Sequence, residues 1–151
     1  MATNRPRVIP ALSYEDPAAA LDWLDKAFGF ETSMCITGPD GDIMHAEMEF
    51  ADATIMVGPA GWADWAKSPK AVGGANTQTL HVQIDDVDGH CARAKAAGAM
   101  VEMEPRDEFY GDRVYAVHDC EGHRWVFHQH VRDIAPEDWG LPEGSTVEMR
   151  D

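Results

Sequence analysis

Apolar and polar positions along this chain predict an order of strands and helices that occurs twice. Residues 7–14 predict a short strand, and Asp16 and Pro17 then begin a helix. An aspartate accepts hydrogen bonds from the free N–H groups of a first helical turn, and a proline needs no partner there. Gly29 suits the left-handed residue that ends a helix. The apolar side chains of this helix recur on one face, at Leu21, Leu24 and Phe28.

The same order returns about 70 residues later. Residues 79–84 predict a second short strand, Asp86 is placed to cap a second helix, and Gly98 to end it. The apolar face of this helix is predicted at Val87, Cys91 and Ala94. The repetition indicates two copies of one structural unit.

Turn signals divide the residues after each helix into three further strands. In the first copy these strands are expected at about 30–37, 43–50 and 54–58, and in the second at about 99–103, 113–118 and 123–130. We therefore predict a single domain over residues 1–151, divided into module one at about 7–58, a linker at 59–76, module two at about 77–130 and an acidic tail at 131–151.

Each predicted module has the order βαβββ, which buries one face of its sheet under its helix and leaves the other face open. Two such modules predict an α+β fold in which curved mixed sheets surround a concave cavity. A recess lined by a few polar groups is the usual place for a ligand, so we expect the function to lie there.

The charge of the chain excludes several classes of partner. Its 27 Asp and Glu residues outnumber 12 Lys and Arg residues, for a formal net charge of -15. This charge repels nucleic acid and anionic membranes, and no segment approaches the ~18 apolar residues of a membrane span. We expect a small organic ligand as the partner, with no nucleic acid and no membrane.

The cysteines and the N-terminus indicate a cytoplasmic protein. Cys35, Cys91 and Cys120 are odd in number and lack CxxC spacing, so neither a disulfide framework nor a zinc site is predicted. The first residues lack the apolar region of an export signal. Cys120 falls in a predicted turn, where an exposed thiol would be reactive.

Four segments of module two carry a resemblance to a known family. They read DDVD at 85–88, RAKAAGA at 93–99, FYGDR at 109–113 and DCEGHRW at 119–125. In this order they resemble the vicinal oxygen chelate superfamily, which includes glyoxalase I, bleomycin resistance proteins and extradiol dioxygenases, and within it the PhnB-like branch. The resemblance covers residues 7–130 and implies the same two-module fold.

The resemblance also implies four positions at which metal-dependent relatives hold a divalent ion. Those positions correspond to about Ile9, Met56, Thr79 and Val126, and none of these side chains binds such an ion as His or Glu does. We therefore expect no metal cofactor and a metal-independent small-molecule-binding protein of the antibiotic-resistance type.

Residues 43–50 alternate between apolar and polar side chains. The apolar set, Met44, Ala46, Met48 and Phe50, is predicted to lie under the helix. The polar set then faces the cavity, with His45 and Glu47 as candidate catalytic acid and base and Glu49 as a ligand-binding residue. The alternative is that this polar set covers a solvated outer face.

Two further histidines are predicted to lie on the same strand faces as the positions at which relatives have metal ligands. His81 lies two residues beyond Thr79, and His128 lies two beyond Val126. We predict that both are neutral, ligand-binding histidines of a wet pocket. The alternative is a displaced site for one divalent metal ion, built from His45, Glu47, His81 and His128.

Four more residues are candidates for ligand binding. Tyr110 and Arg113 flank a Gly-Asp turn, and Arg113 could bind an anionic ligand group or pair with Asp107 or Glu108. Trp62 and Trp65 of the linker could cover the cavity. The alternative, which we favour, is a contact between the modules or an interface between two subunits, because burying rings there needs no ligand. We expect a homodimer.

The sequence leaves two other functions open. One is a lyase or isomerase that acts on a small vicinal carbonyl compound, with the displaced metal ion or with Glu47 and His45 as base and acid. The other is a purely associative role in which the open face binds a protein. Whether the chain is an enzyme stays open at this point.

Overall fold

The structure, a computed structural model, describes residues 5–150 as two modules of one helix and four strands each. Module one contains β1 (Ala11–Tyr14), α1 (Pro17–Phe28), β2 (Glu31–Thr37), β3 (Ile43–Phe50) and β4 (Ala53–Pro59). Module two contains β5 (Leu80–Gln83), α2 (Val87–Ala96), β6 (Met100–Asp107), β7 (Asp112–His118) and β8 (Arg124–His130). The outermost residues of the predicted domain, 1–4 and 151, lie outside the described residues.

The helix caps expected from the sequence form in the structure. The Asp16 side chain accepts a hydrogen bond from the N–H of Ala19 at 3.1 Å, and Gly29 ends α1 with a φ of 82°. Asp86 caps α2 in the same way, through the N–H of Gly89 at 3.1 Å. No helix in residues 5–150 combines the length and the apolar composition of a membrane span.

The eight strands form two separate four-stranded sheets. Sheet A has the order β1-β4-β3-β2, and sheet B has the order β5-β8-β7-β6. In each sheet the first strand runs parallel to its neighbour and the other pairs are antiparallel. This architecture confirms the predicted α+β fold of two βαβββ modules with mixed sheets, and the two sheets do not close into a barrel.

Both helices and the helix-facing sides of both sheets share one apolar core. Phe28 of α1 contacts Trp125 and Phe127 of β8, with ring centroids 5.3 and 4.9 Å apart. The indole N–H of Trp23 donates to the carbonyl of Ala97 at 3.0 Å, which joins the two helices. Because burying each large apolar side chain contributes about 1.5–3 kcal/mol, this core holds the modules together.

Two predictions on module one differ from the structure. β1 begins at Ala11 and not at residue 7, because Pro6 and Pro10 have no N–H to donate to a neighbouring strand. Met44, expected under the helix, is 59% exposed. The pairing of β2 with β3 shifts register beside Met44, between Ile36 and Thr37, and turns the side chain outward.

The turn between β7 and β8 binds module one through two buried carboxylates, the first of which is Asp119. Its Oδ2 accepts hydrogen bonds from the Tyr14 hydroxyl at 2.6 Å and the Trp125 indole at 3.1 Å. Its Oδ1 accepts from the backbone N–H groups of Glu121 and His123, each at 3.0 Å. Burial and the Asp119 carboxylate raise the pKa of Tyr14 well above its usual range, so its hydroxyl remains a donor.

The second carboxylate, Glu121, binds the start of α1. It accepts hydrogen bonds from the backbone N–H groups of Glu15 and Asp16 at 2.7 and 2.9 Å, and from the Ser68 hydroxyl at 2.6 Å. A buried charge is tolerated only when it is paired or hydrogen-bonded in this way. We call the contacts of Asp119 and Glu121 with module one and the linker the module clamp.

Removal of the Tyr14 hydroxyl tests the module clamp. We expect Tyr14→Phe to lose about 1–3 kcal/mol of unfolding free energy, because Asp119 keeps its charge and loses a donor. Urea unfolding of the full chain measures the change. The matched control is Tyr110→Phe, whose hydroxyl makes no hydrogen bond within residues 5–150, and which should lose much less. Equal losses in the two variants would contradict a special role for the clamp.

Candidate functional site

The face of sheet A opposite the helices, which we call its open face, combines apolar and polar residues. They come from three neighbouring strands and comprise Ala11, Ser13, His45, Glu47, Met56 and Gly58. Ala11 of β1 and Glu47 of β3 both lie beside Met56 of β4 in the strand pairing. The alternation in β3 therefore places the polar set away from the helix, as the sequence predicts.

The two tryptophans of the linker lie over this open face. The indole rings of Trp62 and Trp65 meet edge to face with centroids 4.9 Å apart, and the residues are 67% and 74% exposed. With the sheet they enclose a recess of ≈ 610 Å³. A second recess of ≈ 400 Å³ adjoins it, since Leu12 and Trp65 line both. These volumes match those that take up small organic molecules in proteins.

The structure brings the candidate acid and base together at the edge of this recess. Nε2 of His45 lies 3.6 Å from Oε2 of Glu47. The other oxygen of Glu47 accepts a hydrogen bond from Nη2 of Arg5 at 2.8 Å. Glu47 is only 9% exposed, so Arg5 supplies the positive charge that compensates its burial. Glu49 is exposed further along β3, where it pairs with Thr54.

The residues present do not fit the metal site of the family. The side chains beside Met56 and Val126 belong to Ala11 and His81, two residues beyond the positions counted from the sequence as Ile9 and Thr79. Of these four neighbours, His81 alone carries the kind of atom that binds a divalent ion. Within residues 5–150, no three His, Cys, Asp or Glu side chains converge so that they could hold a metal ion. The displaced metal site has no geometric support in this part of the chain.

The open face of sheet B is apolar at its centre and carries the remaining candidates. Val114, Ala116 and Val126 form a small buried cluster against which Tyr110 packs. Nδ1 of His81 lies 2.7 Å from Nε2 of His128, so the two predicted pocket histidines contact each other directly.

Arg113, another candidate for ligand binding, does not lie on the open face of sheet B. Its Nε donates to Asp88 of α2 at 2.9 Å and its Nη1 donates to Asp107 at 3.1 Å. These hydrogen bonds raise the pKa of the Arg113 guanidinium. Arg113 sits among strand residues that face the helices, so the structure does not bring it to either open face. The alternative pairing with Asp107 is the one that forms.

Sequence reasoning missed two groups that lie beside the candidates. Arg5 gave no signal, because its partner Glu47 is 42 residues away in the chain. Asp112 was assigned only to a turn. It lies two residues before Val114, and residues two apart in a strand share a face, so this spacing was the signal that could have placed it on the open face. In the structure it accepts a hydrogen bond from His128 at 3.2 Å.

The surroundings of Cys120 disfavour the ionised form of its thiol. Burial of the thiol, followed by the neighbouring carboxylates of Asp119 and Glu121, raises the pKa of Cys120 to about 12. Only the thiolate is reactive. The raised pKa therefore disfavours a reactive thiolate at Cys120, although the residue as a whole is exposed.

Comparison with known proteins gives a consistent family assignment. The family model for the Glyoxalase/Bleomycin resistance protein/Dioxygenase superfamily matches residues 9–127. Uncharacterized proteins of Mycobacterium tuberculosis and Mycobacterium bovis are each 35% identical over 138 residues, which is 89% of this chain and 81% and 90% of those proteins.

Two solved structures illustrate the similarity. TioX from Micromonospora sp. ML1 is 33% identical with a TM-score of 0.69, and the match covers 83% of this chain and 99% of TioX. TnmS3, an antibiotic binding protein from Streptomyces sp. CB03234, is 20% identical with a TM-score of 0.64, and the match covers 86% of this chain and 99% of TnmS3. At this identity TnmS3 shows a shared fold.

Proposed function

Because this chain belongs to the glyoxalase/bleomycin resistance protein/dioxygenase superfamily, we propose that it binds a small organic molecule without a metal ion, in the manner of antibiotic-resistance members. The observation that carries this proposal is the recess between the open face of sheet A and the rings of Trp62 and Trp65. Exposed indole rings next to an apolar recess favour an aromatic or apolar guest. TnmS3, a fold relative that binds an antibiotic, adds support.

The charge and the strand pairing narrow the class of ligand. A chain with a net charge of -15 disfavours anionic molecules. Ala11 and Met56 supply apolar surface in the recess where metal-dependent relatives have ligands, so the ligand is held by contact and stacking. We propose a neutral or cationic aromatic molecule, in a cytoplasmic protein with free thiols at Cys35, Cys91 and Cys120.

We expect Trp65→Ala to weaken binding of the neutral fluorescent probe N-phenyl-1-naphthylamine by about tenfold, because the variant removes a ring that lines both recesses. The increase of probe fluorescence on titration measures the affinity. Trp139→Phe is the matched control, since Trp139 packs against Phe109 outside both recesses and its replacement should leave the affinity unchanged.

The same titration tests metal independence. Protein treated with a chelator should bind the probe as tightly as untreated protein. Loss of binding after chelation, with recovery on addition of a divalent ion, would refute the metal-free proposal. An unchanged affinity in Trp65→Ala would refute the recess as the binding place.

A second candidate function is acid–base chemistry on a small vicinal carbonyl compound. The observation that favours it is the pair of His45 and Glu47, 3.6 Å apart beside the recess. Glu47 would remove a proton from the carbon next to the carbonyl, and His45 would supply one.

For this candidate we expect turnover of methylglyoxal hemithioacetal by the wild-type chain and its loss in Glu47→Gln, which keeps the shape and removes the base. NMR in deuterated water measures the step through the deuterium that the product takes up from the solvent. Absence of turnover in the wild-type chain, or equal turnover in Glu47→Gln, would leave binding as the function.

We also propose that the chain forms a homodimer. Met34 and Ile36 of β2 are exposed on the open face of sheet A, and the same face carries the exposed rings of Trp62 and Trp65 over β1 and β4. Apolar patches of this kind are typical of interfaces. Native mass spectrometry of the full chain should give twice the monomer mass at micromolar concentration, and a monomer throughout the concentration series would contradict the proposal.

A further inference from the structure

A continuous line of hydrogen-bonded side chains crosses the open face of sheet B. Nδ1 of His81 on β5 lies 2.7 Å from Nε2 of His128 on β8. Nδ1 of His128 lies 3.2 Å from Oδ2 of Asp112 on β7. The other oxygen of Asp112 lies 3.0 Å from Nδ1 of His130, whose Nε2 lies 2.7 Å from Asp133. We call these five residues the histidine relay.

The carboxylates at one end of the histidine relay fix where its protons lie. An ionised carboxylate only accepts hydrogen bonds, so His128 and His130 both donate to Asp112 through Nδ1. His130 also donates to Asp133 through Nε2 and therefore carries a proton on each nitrogen. The hydrogen bonds to Asp112 and Asp133 raise the pKa of His130, in agreement with a charged ring.

The same reasoning fixes the proton of His81. With one proton, held on Nδ1 by Asp112, the His128 ring offers the lone pair of Nε2, and Nδ1 of His81 then donates to it. Nε2 of neutral His81 then carries a lone pair, and no residue in 5–150 hydrogen-bonds it. Partial burial, followed by the proximity of His128 and Arg124, lowers the pKa of His81, which keeps this lone pair available at neutral pH.

The lone pair lies beside an apolar surface. His81 pairs with Val126 in the strand register, next to the cluster of Val114 and Ala116. The Tyr110 ring adds to this surface, with its centroid 6.4 Å from that of His128. A molecule that fits here is apolar or aromatic and presents one hydroxyl group to the acceptor.

We propose that the open face of sheet B is a binding subsite for a phenol or enol, with Nε2 of His81 as the acceptor of its hydroxyl proton. The subsite lies on a different sheet from the recess of sheet A, and it does not depend on the function proposed for that recess.

The proton transfer is balanced within the histidine relay. The O–H bond of the ligand breaks, the oxygen keeps the electron pair, and an N–H bond forms at Nε2 of His81. The Nδ1 proton of His81 passes to Nε2 of His128, so the positive charge comes to rest beside Asp112. Asp112, Asp133 and charged His130 together leave one negative charge before the transfer, which the arriving proton neutralises.

The charged groups around the pair favour a positive charge on His128 over one on His81. Arg124, on the neighbouring strand β8, lies close enough to His81 to lower its pKa and is itself held by Glu102 of β6 at 2.8 and 3.0 Å. Asp112 of β7 stabilises the positive charge that His128 acquires. Gln83, next along the same face of β5, is uncharged.

The first test reads the tautomers by long-range ¹H–¹⁵N NMR of the histidine rings in the full chain at neutral pH. We expect His81 and His128 both to carry their proton on Nδ1, although free histidine prefers Nε2. A proton on Nε2 of His81 would overturn the proposal, because no acceptor would remain.

The second test compares 4-nitrophenol with nitrobenzene, which lacks the hydroxyl. The wild-type chain should bind 4-nitrophenol about tenfold more tightly. The bound probe should show the visible phenolate band at a pH at which the free probe is still protonated. His81→Gln should abolish both the preference and the band and leave nitrobenzene binding unchanged.

The control variant is His118→Gln, which removes a histidine from the far end of the same face. His118 binds Glu102 and not the histidine relay, so this variant should behave as the wild type does. Equal affinity for the two probes, no binding of 4-nitrophenol, or the same behaviour in His81→Gln and wild type would each overturn the subsite.

Discussion

Two buried carboxylates in the turn between β7 and β8 determine how module one is placed against module two. Asp119 and Glu121 can stay charged inside the protein only while several donors surround them, because an unpaired charge in an apolar interior costs many kcal/mol. Some of these donors are the Tyr14 hydroxyl at the end of β1 and the N–H groups at the start of α1. The module clamp therefore fixes the first helix against the last strand, and α1 must pack into the core that it shares with sheet B.

The shared core decides which faces remain for function. Phe28, Trp125 and Phe127 occupy the helix side of the sheets, so ligands can reach only the opposite faces. Sheet A has its open face partly covered by Trp62 and Trp65, which creates a recess. Within residues 5–150, no pair of tryptophans covers the open face of sheet B, which presents an apolar centre with a line of histidines. One repeated unit has thus produced two surfaces with different chemistry.

The difference between the two surfaces can be followed position by position. Beside Met56 in sheet A stand Ala11 and Glu47, and beside Val126 in sheet B stand His81 and Ala116. The polar residue has changed strand between the modules. Neither arrangement gives the two ligands per module that a family metal site needs, and each leaves one polar group beside apolar surface. This pattern suits recognition of a single polar atom on an otherwise apolar molecule.

The sequence by itself determined the order of elements, the helix ends and the face of most strand residues, with Met44 as an exception. Asp16, Pro17, Gly29 and the alternation in β3 act through neighbours a few residues away, so their effect can be read without the fold. The tertiary structure alone decided that Glu121 binds the start of α1, that Arg5 pairs with Glu47 and that Asp112 orders His128. These partners are distant in the chain, or they lie on neighbouring strands whose pairing the sequence did not predict. The period of two in a strand determines which face a side chain lies on, but not which residue of the next strand lies beside it.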